Sequence, residues 1–229
     1  MAARRNNKQA SKIKVTYAIR LQDVSRRLGE FWALAHINLE IKTGTTLLLT
    51  GDNGAGKTTL LKVIATLLKP NFGNLELFGT KVDHNLQQFR HRIELISHAS
   101  FLYEAHTGRE SLSFIANIRG QFDNKQIDEL LKQVSLIKYA DRLIMTYSAG
   151  MRRRLLIARL LLKQPEIALL DEPWSQLDSN AIELMDITIK KLLQTNTTVV
   201  LATHDIEHAK NLCQQRVTMA HGKIIEQTK

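Results

Sequence analysis

The eight residues Gly51-Asp52-Asn53-Gly54-Ala55-Gly56-Lys57-Thr58 leave this chain few folds to choose from. They follow Thr45–Thr50 (TTLLLT), a β-branched, apolar run without polar alternation, which reads as a parallel strand buried on both faces. They precede a helical pattern from about Lys57 to Leu68 that stops before Pro70. The spacing GxxxxGK[ST] between a strand and a helix makes a cradle for phosphate. Glycines let the backbone turn tightly and aim its N–H groups at an anion, and the helix dipole turns its positive end the same way. Lys57 suits the β- and γ-phosphates of a nucleotide, the Thr58 hydroxyl suits Mg²⁺, and Thr59 closes the candidate ATP-binding run. A plain glycine turn joining strand to helix is the competing reading, and this context disfavours it.

The rest of the pattern alternates strands with helices, which argues for an α/β fold with a largely parallel central sheet. Residues 19–25 and 35–41 read as short strands of an antiparallel N-terminal layer. A strand is expected at 92–97 and again at Ile167–Leu170, Thr198–Ala202, Arg216–Ala220 and Lys223–Gln227. Residues 100–160 read as a helical subdomain inserted between sheet strands. The strand Ile167–Leu170 ends in Asp171 and Glu172, at the strand end where open α/β sheets bind ligands. Asp171 there would orient Mg²⁺, and Glu172 would polarise an attacking water as general base.

The totals set limits on partners. Among 229 residues, 44% are hydrophobic, enough for one well-buried domain. The formal net charge is +10, part of it in a basic tail, residues 1–18, where Arg4, Arg5, Lys8, Lys12 and Lys14 precede the first acid, Asp23. Such a tail is a solvated end or an attraction to anionic lipid. No aromatic residue interleaves these cations as nucleic-acid binding would ask, so nucleic acid is not an expected partner. Cys213 is the only cysteine, which excludes an intrachain disulfide and a multi-cysteine metal site. No apolar run approaches the ~20 residues that cross a bilayer. Any work at a membrane therefore calls for another chain.

The segment Tyr147-Ser148-Ala149-Gly150-Met151, followed by Arg152-Arg153-Arg154, resembles the signature of the ABC ATPase family, usually LSGGQ, just upstream of the acidic strand. Ser148 and Gly150 match; Ala149 replaces a glycine and Met151 the glutamine. Ser175-Gln176-Leu177-Asp178 is similar to the family's D-loop, and His204 to the switch histidine that meets the γ-phosphate. The resemblance runs over about residues 19–227. It implies an ATP- and Mg²⁺-dependent ATPase that pairs with a second ATP-binding subunit, in a homodimer, each signature facing the partner's ATP. It also implies a separate integral-membrane permease, with this chain peripheral on the cytoplasmic face of a bacterial inner-membrane type. A soluble ABC ATPase acting on nucleic acid usually carries two units or a coiled-coil insertion, neither of which is evident here.

Two departures from the family stand out. An aromatic that stacks on adenine is expected where Leu28 stands, leaving Phe31, Trp32 or aliphatic packing to serve the base. The glutamine expected after strand 92–97, a Q-loop ligand of Mg²⁺ and water, is replaced by His98. Imidazole also binds metal or orients water, but gains charge near neutral pH. The run Ile96–Leu112 and the Ser-Ala-Gly signature are similar to the ATPase of the cytochrome-c-maturation heme exporter, while drug, lipid and polysaccharide exporters use near-identical ATPases.

Overall fold

The strand before the glycine loop is β3, Thr46–Thr50, and its side chains split between two cores. Leu47 and Leu49 point to one face, Leu48 to the other, each fully or nearly fully buried. Leucines alternating between two cores are what a sheet covered on both faces requires. The same division recurs in β7, Ile167–Asp171, and in β8, Thr198–Ala202. The computed structural model describes residues 16–97, 102–118, 120 and 123–228.

A first sheet opens the chain: β1 (Tyr17–Leu28), β2 (Phe31–Lys42), β4 (Phe72–Leu77) and β5 (Thr80–Lys81) in the order β2-β1-β4-β5, all antiparallel. The second sheet adds β6 (Ile93–Ile96), β9 (Gln215–Ala220) and β10 (Lys223–Thr228), in the order β10-β9-β3-β8-β7-β6. Every pairing in it is parallel except β9 with β10. Helix α1 (Lys57–Ile64) lies between the two sheets, touching β2 on one side and β7 and β8 on the other, and buries Leu60, Leu61 and Ile64 in the core they share. A short helix α2 (Gln87–Arg90) leads into β6. On the opposite face lie α3 (Gly108–Ile118), α4 (Asn124–Gln133), α5 (Ala149–Lys163) and α6 (Ser179–Gln194), followed by the short α7 (Ile206–Ala209). Burying a Leu or Ile side chain fully contributes about 1.5–3 kcal/mol, so these two layers hold the sheet from both sides.

The helices of the expected insertion are α3, α4 and most of α5, the last bolted to the parallel sheet by charge as well as by leucines. Glu94 of β6 is 5% exposed and forms ion pairs with Arg159 and Lys163 of α5, the latter at 2.7 Å. The boundaries differ from the sequence expectation in instructive ways. β1 and β2 are twelve residues each rather than seven, because register shifts along the pair interrupt the alternation that sequence patterning relies on. Helix α1 stops at Ile64, four residues short, where Thr66 turns left-handed (φ 60°) and Arg90 donates to both its hydroxyl and its carbonyl. The hairpin β4–β5 was not expected at all. Among the described residues, no helix is long and apolar enough to cross a membrane.

Candidate ATP site

Gly51 leaves the carboxyl end of β3, and the loop enters α1 through Gly56, whose φ of 104° is left-handed. A side chain there is excluded twice over: a Cβ would stand 2.5 Å from the Ala33 carbonyl oxygen of β2. The loop therefore lies tight against the first sheet. Lys57 Nζ donates to the carbonyls of Gly51 (2.5 Å) and Asp52 (3.1 Å), which folds the ammonium back over the loop. Thr58 Oγ1 donates to Asp171 Oδ2 at 2.8 Å, joining the helix start to the end of β7.

One residue further, Glu172 N donates to the Ala202 carbonyl at 2.8 Å, and then the backbone turns left-handed, with φ 49°. That turn swings the carboxylate toward the end of β8. Thr203 Oγ1 donates to Glu172 Oε2 at 3.0 Å, and His204 Nδ1 lies 3.0 Å from Oε1. Thr203 is buried, the Glu172 side chain largely so, while the His204 side chain is 80% exposed. A cavity of about 1020 Å³ runs from loop residues 51–59, past Asp171, Glu172 and His204, to Leu28, Phe31 and Trp32 on the first sheet. One end thus offers backbone N–H groups, a cation, a hydroxyl and carboxylates; the other offers apolar faces. Trp32 meets Phe72 at a tilt of 38°, with centroids 5.8 Å apart, and Phe31 is 80% exposed.

The expected ATP-binding run and the expected catalytic pair therefore meet in one cavity. Ser148, Ala149, Gly150 and Met151 are not among the residues lining it. They form the start of α5, where the Ser148 hydroxyl accepts from Met151 N at 3.2 Å as an N-cap. Asp178 is likewise outside: it caps α6, accepting from Ala181 N, and takes both oxygens to Arg154 at 2.6 and 2.7 Å. The hydrogen bonds from Arg154 hold its carboxyl below the usual range. His98, the expected Q-loop residue, lies outside the described residues. Sequence reading missed Thr203, although a hydroxyl between a buried strand and His204 was there to be noticed.

The family model described as ABC transporter matches residues 34–175. The chain belongs to the ABC transporter family. A probable sulfate/thiosulfate import ATP-binding protein from Chlorella vulgaris is 35% identical over 213 residues, covering 91% of this chain and 90% of that protein. A bacitracin transport ATP-binding protein from Bacillus licheniformis is 33% identical over 210 residues, covering 91% of this chain and 69% of its own length. Among solved structures, a dimeric ATP-binding cassette in a post-hydrolysis state bound to ADP and Pi superposes with a TM-score of 0.83. It is 29% identical and covers 92% of this chain and 98% of its own. This ABC ATPase thus has the family's α/β fold, antiparallel first sheet included, and it is an ATP-hydrolysing transporter subunit.

The residues present also fit a magnesium ion beside the nucleotide. Thr58 Oγ1 and Asp171 Oδ2 are both hard oxygen donors, and their 2.8 Å separation is near the ~3 Å between neighbouring ligands in an octahedral Mg²⁺ shell. Magnesium typically takes only one or two protein oxygens besides phosphate and water.

Proposed function

We propose that this ABC ATPase acts as a homodimer on the cytoplasmic face of a membrane, driving a separate integral-membrane permease that exports its cargo. The observation that carries the catalytic part is the convergence of Lys57, Thr58, Asp171, Glu172 and His204 in one cavity at the carboxyl ends of β3, β7 and β8. The loop N–H groups and Lys57 bind the β- and γ-phosphates, trading the Gly51 and Asp52 carbonyls for charged oxygens. Thr58 would bind Mg²⁺ and Asp171 would orient it, and the ion when bound would offset negative charge on the phosphates. The Glu172 carboxylate takes a proton from water as the water oxygen bonds to the γ-phosphorus; the bond from that phosphorus to the β–γ bridging oxygen breaks, giving ADP and phosphate. Thr203 and His204 hold the two carboxylate oxygens and fix the direction of that proton transfer.

The apolar end of the cavity serves the base, with Phe31 as the stacking face, since Trp32 is already engaged with Phe72. Ser148, Gly150 and the first turn of α5 lie outside the lining of this cavity, in keeping with a role at the ATP of the opposite subunit. That arrangement uses the helix's free N–H groups and dipole. It also lets ATP favour a closed dimer over an open one by differential binding, the source of work on a permease. Direction and cargo rest on the segment Ile96–Leu112, whose likeness to the heme exporter of cytochrome c maturation makes heme the specific cargo assignment. Relatives named for bacitracin transport and for sulfate/thiosulfate import bracket the alternatives.

Glu172→Gln tests the chemistry. It keeps size and hydrogen bonding but cannot accept the proton, so turnover falls by about two or more orders of magnitude while ATP binding persists. Gel filtration with Mg-ATP then shows a trapped dimer; turnover at the wild-type rate removes Glu172 as the base. Capture of the tagged chain from detergent-solubilised membranes tests the rest. A permease of exporter type supports the reading, and one of importer type overturns the export direction.

A further inference from the structure

Among the described residues, Arg153 is an unusual arginine. It sits between two partly buried neighbours in a run of three, and only 4% of it is accessible. None of the hydrogen bonds of its guanidinium goes to a carboxylate. Nη1 donates to the Ser97 carbonyl at 3.3 Å; Nη2 donates to the carbonyls of Asp171 (3.4 Å) and Glu172 (2.9 Å) and to Ser175 Oγ (2.9 Å). Burial, the largest influence on it, makes its charge harder to hold, and the nearby charges of Asp171 and Glu172 oppose that. A buried charge satisfied by backbone carbonyls is costly to build and costly to break.

Two of those carbonyls, of Asp171 and Glu172, belong to the peptides on either side of the Glu172 Cα. The Glu172 backbone is left-handed at φ 49°, a conformation that costs a non-glycine residue on the order of 1–3 kcal/mol unless its surroundings impose it. Its N–H is held by Ala202, and its carbonyl is held by Arg153 and by Ser175 Oγ at 3.0 Å. From this turn, clamped on both sides, the carboxylate reaches Thr203 and His204. The clamp comes from α5, five residues after its cap Ser148, and the same side chain grips Ser97 at the end of β6. Arginine's planar fork can span acceptors on three segments; an ammonium cannot.

We propose that Arg153 is a positioning residue for hydrolysis: it fixes the strained turn at Glu172, so that the aim of the base follows the placement of α5. The inference rests on Glu172 being the general base. It assigns Arg153 no contact with nucleotide. Its effect is on the proton-transfer geometry, where small misplacements are expensive.

Purified full-length chain with Arg153→Lys keeps the charge and most of the volume but loses the fork. Its kcat is expected to fall about tenfold, with KM and the Kd for a fluorescent ATP analogue within about twofold of wild type. Ser175→Ala, which removes only the hydroxyl bridging Arg153 to the Glu172 carbonyl, is expected to show the same split at about threefold, and it decides the matter if the lysine variant does not fold. In a Glu172→Gln background, Arg153→Lys is expected to cost less than about twofold in residual single-turnover rate, since a base already disabled cannot be misaimed. A full tenfold loss in that background, an unchanged kcat in both single variants, or a Kd that rises in step with the kcat loss overturns the proposal. Failure of the base assignment reads out separately, as normal turnover by Glu172→Gln alone.

Discussion

Two glycines of the phosphate loop, Gly54 and Gly56, share a left-handed backbone (φ 82° and 104°) but not a neighbourhood, and alanine at each separates strain from contact. A Cβ on Gly54 meets nothing within 4 Å, so Gly54→Ala carries only the left-handed penalty, about 1–2 kcal/mol. A Cβ on Gly56 stands 2.5 Å from the Ala33 carbonyl, 3.2 Å from Leu34 Cδ2 and 3.3 Å from Met219 Cε. The first of these is backbone within a long strand and cannot swing aside. Relief requires the loop to lift off β2, adding about 1–3 kcal/mol to the same strain. For a domain of this size each kcal/mol lowers Tm by about 2–4 °C, so Gly54→Ala is expected to lose about 4 °C and Gly56→Ala about 10 °C. The lifted loop also misdirects its N–H groups, and nucleotide affinity of the Gly56 variant is expected to fall more than about tenfold. Differential scanning fluorimetry without nucleotide and titration of a fluorescent ATP analogue measure both. Equal losses in the two variants would refute the claim that backbone contact with Ala33 is what demands glycine at 56.

Lys57→Ala is expected to weaken nucleotide binding by the isolated chain. Gly150→Asp, where a Cβ meets only ordinary contacts at 3.5 Å, is expected to spare it and abolish ATP-dependent dimerisation in gel filtration; equal loss of binding in both removes the signature reading. Asp141 held by Arg109, Asp178 by Arg154 and Glu166 by Arg92 all have carboxyls below their ordinary values of 3.8, 3.8 and 4.5. Groups depressed on folding stabilise above their unfolded pKa and lose that contribution as pH falls through the folded one, so Tm is expected to be level above about pH 5 and to drop below about pH 4. A Tm indifferent to pH between 5 and 3 contradicts those three pairs. Burial pushes the Cys213 thiol up to about 12, so alkylation by iodoacetamide at pH 8 is expected to be slower than for a free thiol by on the order of 10²-fold, and to recover in denaturant.

The parts of the site that were legible beforehand are those whose chemistry depends on residue type at fixed spacing along one strand–turn–helix. Gly51–Thr58, Asp171, Glu172 and His204 each stand at or just past the end of a buried strand, and the strand announces itself by its apolar run. What stayed hidden depends on which way a side chain leaves its element. Arg152, Arg153 and Arg154 are indistinguishable as letters, yet they pair with Glu104, with backbone carbonyls and with Asp178 respectively. A helix places consecutive residues about 100° apart, so one of three must turn inward, and only the fold says which. The hairpin β4–β5 escaped notice for a related reason. Gly73 and Asn74 are poor strand formers, and Phe72–Leu77 is strand because it pairs along the edge of β1. Bulges along β1 and β2 likewise erased the alternation that would have given their length.

The turn between β9 and β10 reaches across to the other sheet: Gly222 donates to the Ala55 carbonyl at 3.1 Å and accepts from Ala35 N at 2.8 Å. Residues near the beginning of the domain thus depend on one near its end for their hydrogen bonds. During synthesis the phosphate loop emerges early, with its strand partners β8 and β9 still to be made, and this last stitch waits for residue 222. Contacts that distant in sequence are slow to close, because chain entropy must be spent before they return anything. A nascent chain is therefore expected to acquire nucleotide competence in a single late step, and a chain shortened before the β9–β10 turn is expected to keep every motif residue of the loop and still bind poorly.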